Sequence, residues 1–121
     1  MGKFVIDKNA NGEFRFDFLD SHEQLIFGKS GYKNKAMCMN VIESIRRNAT
    51  DDSKFFRKRT ASNECYFNLK SVNGQIIGIS KIFKDKTSRE ESIQLVKNTA
   101  SDALVEDYSN KSIKLSLETM A

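Results

Sequence analysis

Four lysines flank two residues suited to capping helices: Lys33 and Lys35 surround Asn34, and Lys84 and Lys86 surround Asp85. The first amides of a helix, with ammonium groups beside them, can hold an anion such as a phosphate. Asn34 and Asp85 compete for those same amides, and a lysine-rich loop is also an ordinary solvated surface. A second set, Arg15, Tyr66 and Lys70, falls on the outward positions of alternating apolar segments. There a ring can stack on a base and cations can hold phosphates, provided no helix or strand covers the face. The run Phe56-Arg57-Lys58-Arg59 adds three cations, which a strand end at the surface carries in any case.

The residue types needed for catalysis are sparse. His22 is the single histidine, set in a polar turn between Asp20 and Glu23, and such a side chain reads as solvated. No Ser, Cys and His arrangement and no paired metal-ligand spacing is apparent, so no catalytic residue, metal or cofactor is expected. Cys38 and Cys65 lack a CxxC spacing and read as reduced packing residues. Asn48-Ala49-Thr50 and Asn110-Lys111-Ser112 match the glycosylation pattern, but MGKFVIDKN has no apolar leader and no long apolar run follows. A cytoplasmic protein with no membrane span is expected.

Nine Phe within a 39% hydrophobic composition can build one core for 121 residues, and 30% charged residues supply a soluble surface. A net charge of +4 permits attraction to phosphate backbones without requiring it.

The elements that must position these residues come in duplicate. Sliding the chain by 51 residues, without a gap, aligns Phe4 with Phe55, Glu13 with Glu64, Phe16 with Phe67, Ile26 with Ile77, Lys33 with Lys84, Lys35 with Lys86 and Ile42 with Ile93. Residues 1–50 form the first repeat, 51–107 the second, and 108–121 a C-terminal extension; the whole is expected to be one globular domain.

Each repeat reads as a strand, a polar turn, a second strand, a third strand and a helix. Phe14, Phe16 and Phe18, like Cys65, Phe67 and Leu69, alternate with mainly polar residues and so face a core. Facing apolar pairs favour a three-residue loop, Val72-Asn73-Gly74, which sets Leu69 opposite Ile77 and Phe67 opposite Ile79. Gly74 takes the left-handed position of that loop. The first repeat has Glu23 there, so its turn is expected to be strained or differently shaped. Cys38, Val41, Ile42, Ile45 and Ala49 stripe the first helix, and Ile93, Val96 and Ala100 the second. Leu104 to Asp107 is read as a last strand, and the extension as a late edge strand or a frayed end.

The stretch Tyr66-Phe67-Asn68-Leu69-Lys70, then Asn73-Gly74-Gln75-Ile76-Ile77-Gly78 and Ser80, resembles the signature of the YegP-like proteins. The helical ends Ile42 to Ala49 and Ile93 to Asn98 are similar too, so the resemblance spans about residues 2 to 107. It implies an α+β fold of two tandem β-β-β-α-β units with pseudo-twofold symmetry and exchanged terminal strands, an intramolecular pseudo-dimer expected to be monomeric. No activity, cofactor or catalytic residue comes with it. Ser21-His22-Glu23 and Met37-Cys38-Met39 depart from its pattern.

The function expected is that of a small cytoplasmic non-enzymatic binding or structural module with a protein or nucleic-acid partner. The alternative is weak, shape-driven nucleic-acid binding through the basic loops and an exposed sheet face. A small-molecule enzyme at the pseudo-twofold junction would require a deep polar cleft.

Overall fold

In the computed structural model, residues 2–109 are described. The chain runs β1 (Lys3–Lys8), β2 (Phe14–Leu19), β3 (Leu25–Tyr32), α1 (Lys35–Asn48), β4 (Phe55–Arg59), β5 (Cys65–Lys70), β6 (Ile76–Ser80), α2 (Lys86–Thr99) and β7 (Leu104–Asp107), with a short 3-10 turn after each helix. All seven strands join one sheet in the order β4-β5-β6-β3-β2-β1-β7. Two repeats therefore share one sheet and one core, and the α+β pseudo-dimer read from the sequence is the architecture found.

The halves meet where β3 and β6 pair antiparallel, with Gly28 opposite Ile79. These residues lie 51 apart and are equivalents in the repeat, so the pseudo-twofold axis passes between them. The exchange occurs at the far edge. After α2, β7 crosses back to the first repeat and pairs in parallel with β1, and the Tyr108 amide extends the pairing by donating to the Ile6 carbonyl at 2.8 Å. The strand after α1 instead starts the second repeat as β4, which among the described residues is the opposite edge and pairs only with β5. Residues 110–121 of the extension lie outside the described residues.

Both helices pack on the same face. The Asn34 side chain accepts from the Met37 amide and Asp85 from the Ser88 amide, each at 2.8 Å, so both caps close as their residue types suggest. Cys38, Ile42, Ile45 and Ala49 bury one stripe, and Ile93, Val96 and Ala100 the other. Beneath them Phe4, Phe16, Phe18, Phe27 and Phe67 have no exposed surface. Phe27 stacks on Phe18 of its own repeat at 5.3 Å between centroids and touches Phe67 across the junction at 6.2 Å. This burial, worth about 1.5–3 kcal/mol per large apolar side chain, is what fuses the repeats into one body.

One sequence expectation is corrected in detail and another is narrowed to one of its alternatives. The Val72-Asn73-Gly74 loop forms, with Ser71 bonded to Gln75 and Gly74 at φ +84°. One bulge further along β6, however, sets Leu69 opposite Gly78 and Asn68 opposite Ile79, leaving Ile77 as the extra residue. The first repeat carries the same bulge, with Phe18 opposite Phe27, Leu19 opposite Leu25 and Ile26 as the extra residue, so the bulge belongs to the repeat; at position 78 a Cβ would stand 2.6 Å from the Phe27 ring of the other repeat. Only glycine fits beneath it. In the first repeat the strained alternative holds: the turn keeps the same two backbone bonds, and Glu23 itself adopts the left-handed conformation at φ +61°.

At the position equivalent to Cys38 the second repeat buries Arg89, whose guanidinium donates to Glu90 at 2.9 Å and to the Lys58 carbonyl at 3.3 Å. A buried cation needs such partners. Among the described residues, no helix is long and apolar enough to cross a membrane.

Candidate binding face

With both helices on one side, the pleat sends every second strand residue to the other. The register places Phe56 opposite Asn68, Asn68 opposite Ile79, Gly28 opposite Asp17 and Asp17 opposite Val5, so one row of side chains crosses the helix-free face from β4 to β1. Lys58 with Tyr66, and Lys70 with Ile76, extend the face on either side of that row. Arg15, Tyr66 and Lys70 thus project where alternation puts them, but not together: Arg15 belongs to the first half of the face and the other two to the second.

The halves differ chemically. In the first, Lys3 is held by Glu23 at 2.7 Å and Glu106 at 3.3 Å, and Arg15 is paired with Asp17. These contacts raise the Lys3 pKa, the bond it donates to Glu23 contributing most. In the second, none of the outward residues of β4, β5 and β6 is acidic. The Lys70 ammonium instead rests 4.1 Å from the centre of the Phe56 ring. Asn68, only 9% exposed between Phe56 and Ile79, has its Oδ1 buried with no hydrogen-bond donor. Leaving such an acceptor unpaired costs about 1–3 kcal/mol.

At the pseudo-twofold axis lies a depression of about 270 Å³ lined by Arg15, Leu25, Gly28, Lys29, Ser30, Ile79, Ser80 and Lys81. Its lining is cationic and carries no carboxylate or histidine. The Ser80 hydroxyl is engaged, accepting from the Phe67 amide at 2.8 Å and donating to the Lys81 carbonyl at 2.7 Å. No nucleophile is poised with a base there.

The helix-flanking lysines do not converge. Lys35 pairs with Asp107 of β7 at 2.6 Å, tying α1 to one edge of the sheet. The start of α2 lies at the other edge, where Arg89 reaches the Lys58 carbonyl and Glu90 pairs with Arg57 of β4. Lys33, Lys84 and Lys86 are exposed. At α2 the amides already hold a charged cap, because the Ser88 backbone bond keeps the Asp85 carboxyl below the usual carboxylate range. An approaching anion would meet that carboxylate.

His22 is exposed in its turn, where its amide donates to Asp20. Both cysteines are buried and unpaired, and burial pushes the Cys38 thiol up to about 11, which makes it a poor nucleophile. Among the described residues, no three His, Cys, Asp or Glu side chains are placed to share a metal ion. Sequence reasoning missed Phe56, Ile79 and Asn68. The tandem alignment held a signal for two of them, since Asn68 replaces Asp17 and Phe56 replaces Val5.

Comparison with known proteins agrees with this architecture. A family model described as a domain of unknown function, DUF1508, matches residues 9–55 and again residues 61–107. The UPF0339 protein in the ptx operon 5' region of Stutzerimonas stutzeri is 39% identical over 109 residues, covering 90% of this chain and 98% of that protein. Two structures solved by solution NMR are similar. A UPF0339 protein from Shewanella oneidensis superimposes with a TM-score of 0.85 at 27% identity, covering 89% of this chain and 92% of that one. The protein of unknown function yegP from E. coli gives 0.84 at 30%, covering 89% and 93%. The chain therefore belongs to the DUF1508 (UPF0339) family, whose function is not established, and carries two copies of the family domain in tandem.

Proposed function

We propose that this protein is a non-catalytic binding module, working as a monomer in the cytoplasm, whose contact surface is the helix-free face of β4, β5 and β6. The observation that carries this reading is the exposure of Phe56 at 42%, Ile76 at 39% and Ile79 at 47% on the sheet face that, among the described residues, no helix covers. Large apolar side chains clustered on a solvated face mark an interaction site when their neighbours do not bury them. The junction depression supports binding over catalysis, because its lining holds no histidine or carboxylate and the Asp17 carboxylate beside it is engaged as the ion-pair partner of Arg15. The groups whose ionisation is most displaced, Tyr32 and Cys38, belong to the core on the other side of the sheet.

Amide NMR of the labelled protein tests the reading with four probes: a single-stranded oligonucleotide, a duplex, an acidic peptide and heparin. Shifts centred on Phe56, Tyr66, Lys70 and Ile79 with any one of them are the expected result. Shifts confined to the helices and their leading loops, or none with all four, overturn it.

A further inference from the structure

We propose that the ligand of this face is a single-stranded nucleic acid laid across β4 and β5, an inference that rests on the face being the module's contact surface. Charge is the first observation. At the five equivalent positions Val5, Asp7, Arg15, Asp17 and Leu19 the first repeat carries two carboxylates and one guanidinium, whereas Phe56, Lys58, Tyr66, Asn68 and Lys70 carry two ammonium groups and no carboxylate. Lys81, at the depression beside Ile79, adds a third cation. Among the described residues, none of these three lysines forms a salt bridge, so the patch complements a polyanion.

The rings and the amide narrow the class. Phe56 lies opposite Asn68 and Lys58 opposite Tyr66, so the two rings are diagonal neighbours on adjacent strands. Diagonal positions in an antiparallel pair stand about 7–8 Å apart, room for two successive splayed bases. Lys70 now occupies the face of Phe56 that a base would take. A stacking base displaces the ammonium, which then has a phosphate to turn to. Beside that ring, directly opposite Phe56, lies the unpartnered Oδ1 of Asn68. Base edges supply the N–H donors it lacks.

Other ligands fit less of this. A duplex keeps its base faces stacked and its pairing edges occupied. An acidic peptide satisfies the lysines but offers the rings no flat surface.

The test is fluorescence anisotropy of short labelled oligothymidine and oligouridine, with a hairpin duplex and an acidic peptide as comparators, across a salt series. Single strands are expected to bind more tightly than the duplex, with log affinity falling against log salt at about −0.7 per phosphate held, or roughly −2 for three lysines. Phe56→Ala and Tyr66→Ala each weaken binding about tenfold. Lys70→Gln reduces the salt slope by about 0.7, and the pair Lys33→Gln, Lys84→Gln leaves binding unchanged. Melting curves of each variant, with Phe56→Leu as the milder change, separate lost contacts from lost fold. Absence of binding at low salt, equal affinity for the duplex, or a loop-lysine pair as damaging as the ring variants overturns the inference. If the acidic peptide alone shifts the amides of β4 and β5, the ligand class is wrong and the binding module stands; if no probe does, both fail.

Discussion

The two halves of the helix-free sheet face repeat one backbone and arrive at opposite chemistry. In the first, Lys3 bridges Glu23 and Glu106, and the Arg15–Asp17 pair lies over Gly28. In the second, Asn68 stands where Asp17 does, Lys58 where Asp7 does and Phe56 where Val5 does, leaving cations and rings at the surface around a buried amide whose oxygen has no partner. A self-neutralised surface has little left to offer a partner, since its charges already have their counter-charges. The lesson is that duplication let one half keep the fold's surface quiet while the other half changed. The edges differ likewise: β7 covers β1, whereas β4 is an edge strand whose Arg57, Lys58 and Arg59 disfavour edge-to-edge pairing.

The largest break in the comparison comes at the junction, where Phe27 of one repeat fills the space that Gly78 of the other leaves. Phe27→Ala should cost about 3–5 kcal/mol in urea unfolding. Gly78→Ala alone should also destabilise, by about 1–3 kcal/mol, because its Cβ would press on that ring. Combined, the two should cost clearly less than their sum; strict additivity would mean that the ring does not press on position 78.

Next in size is the pair on the pseudo-twofold axis. A Cβ at Gly28 would stand 2.6 Å from the Phe16 carbonyl and 2.3 Å from the Asp17 carboxylate, so Gly28→Ala should cost about 1–3 kcal/mol. Ile79→Ala, at the equivalent but half-exposed position, should cost less than about 1 kcal/mol in the same experiment. Equal losses would erase the asymmetry between the halves.

Asn68→Leu removes the unpaired acceptor and should raise stability by about 1 kcal/mol while weakening oligonucleotide binding. A destabilised variant would show that the amide is already satisfied. Of similar or smaller size, Glu23→Gly should stabilise the first hairpin by about 1 kcal/mol, since glycine adopts φ +61° freely, and the exposed Lys3 contact it gives up is worth little.

The smallest effect is a pH dependence at the β7 edge. Burial alone would raise the Asp107 pKa, but hydrogen bonds from Lys35 and Ser109 outweigh it and hold the carboxyl below its ordinary 3.8. A carboxylate depressed in the folded state contributes stability above its unfolded pKa and loses it as pH falls through the folded value. The melting temperature should therefore drop as pH falls below about 4, and Asp107→Asn should show a smaller drop. An identical acid profile in the variant would show that the Lys35–Asp107 clasp contributes nothing.

Much of this molecule is readable from local pattern. The 51-residue repeat, the alternation of Phe14, Phe16 and Phe18, the caps at Asn34 and Asp85 and the left-handed Gly74 each rest on neighbours within a few residues, where side-chain periodicity and backbone sterics act directly. The repeat in turn required that whatever one copy folds into, the other does too, and that the pair share a symmetric junction. What tertiary structure alone decided involves partners distant in the chain. The Phe27 ring came to rest on Gly78 of the other repeat, α2 reached the Lys58 carbonyl with a buried Arg89, and both described helices packed on one face of the sheet. Such contacts join residues some 30 to 50 positions apart, so no window of sequence contains both members, and only chain closure around a common core brings them into register.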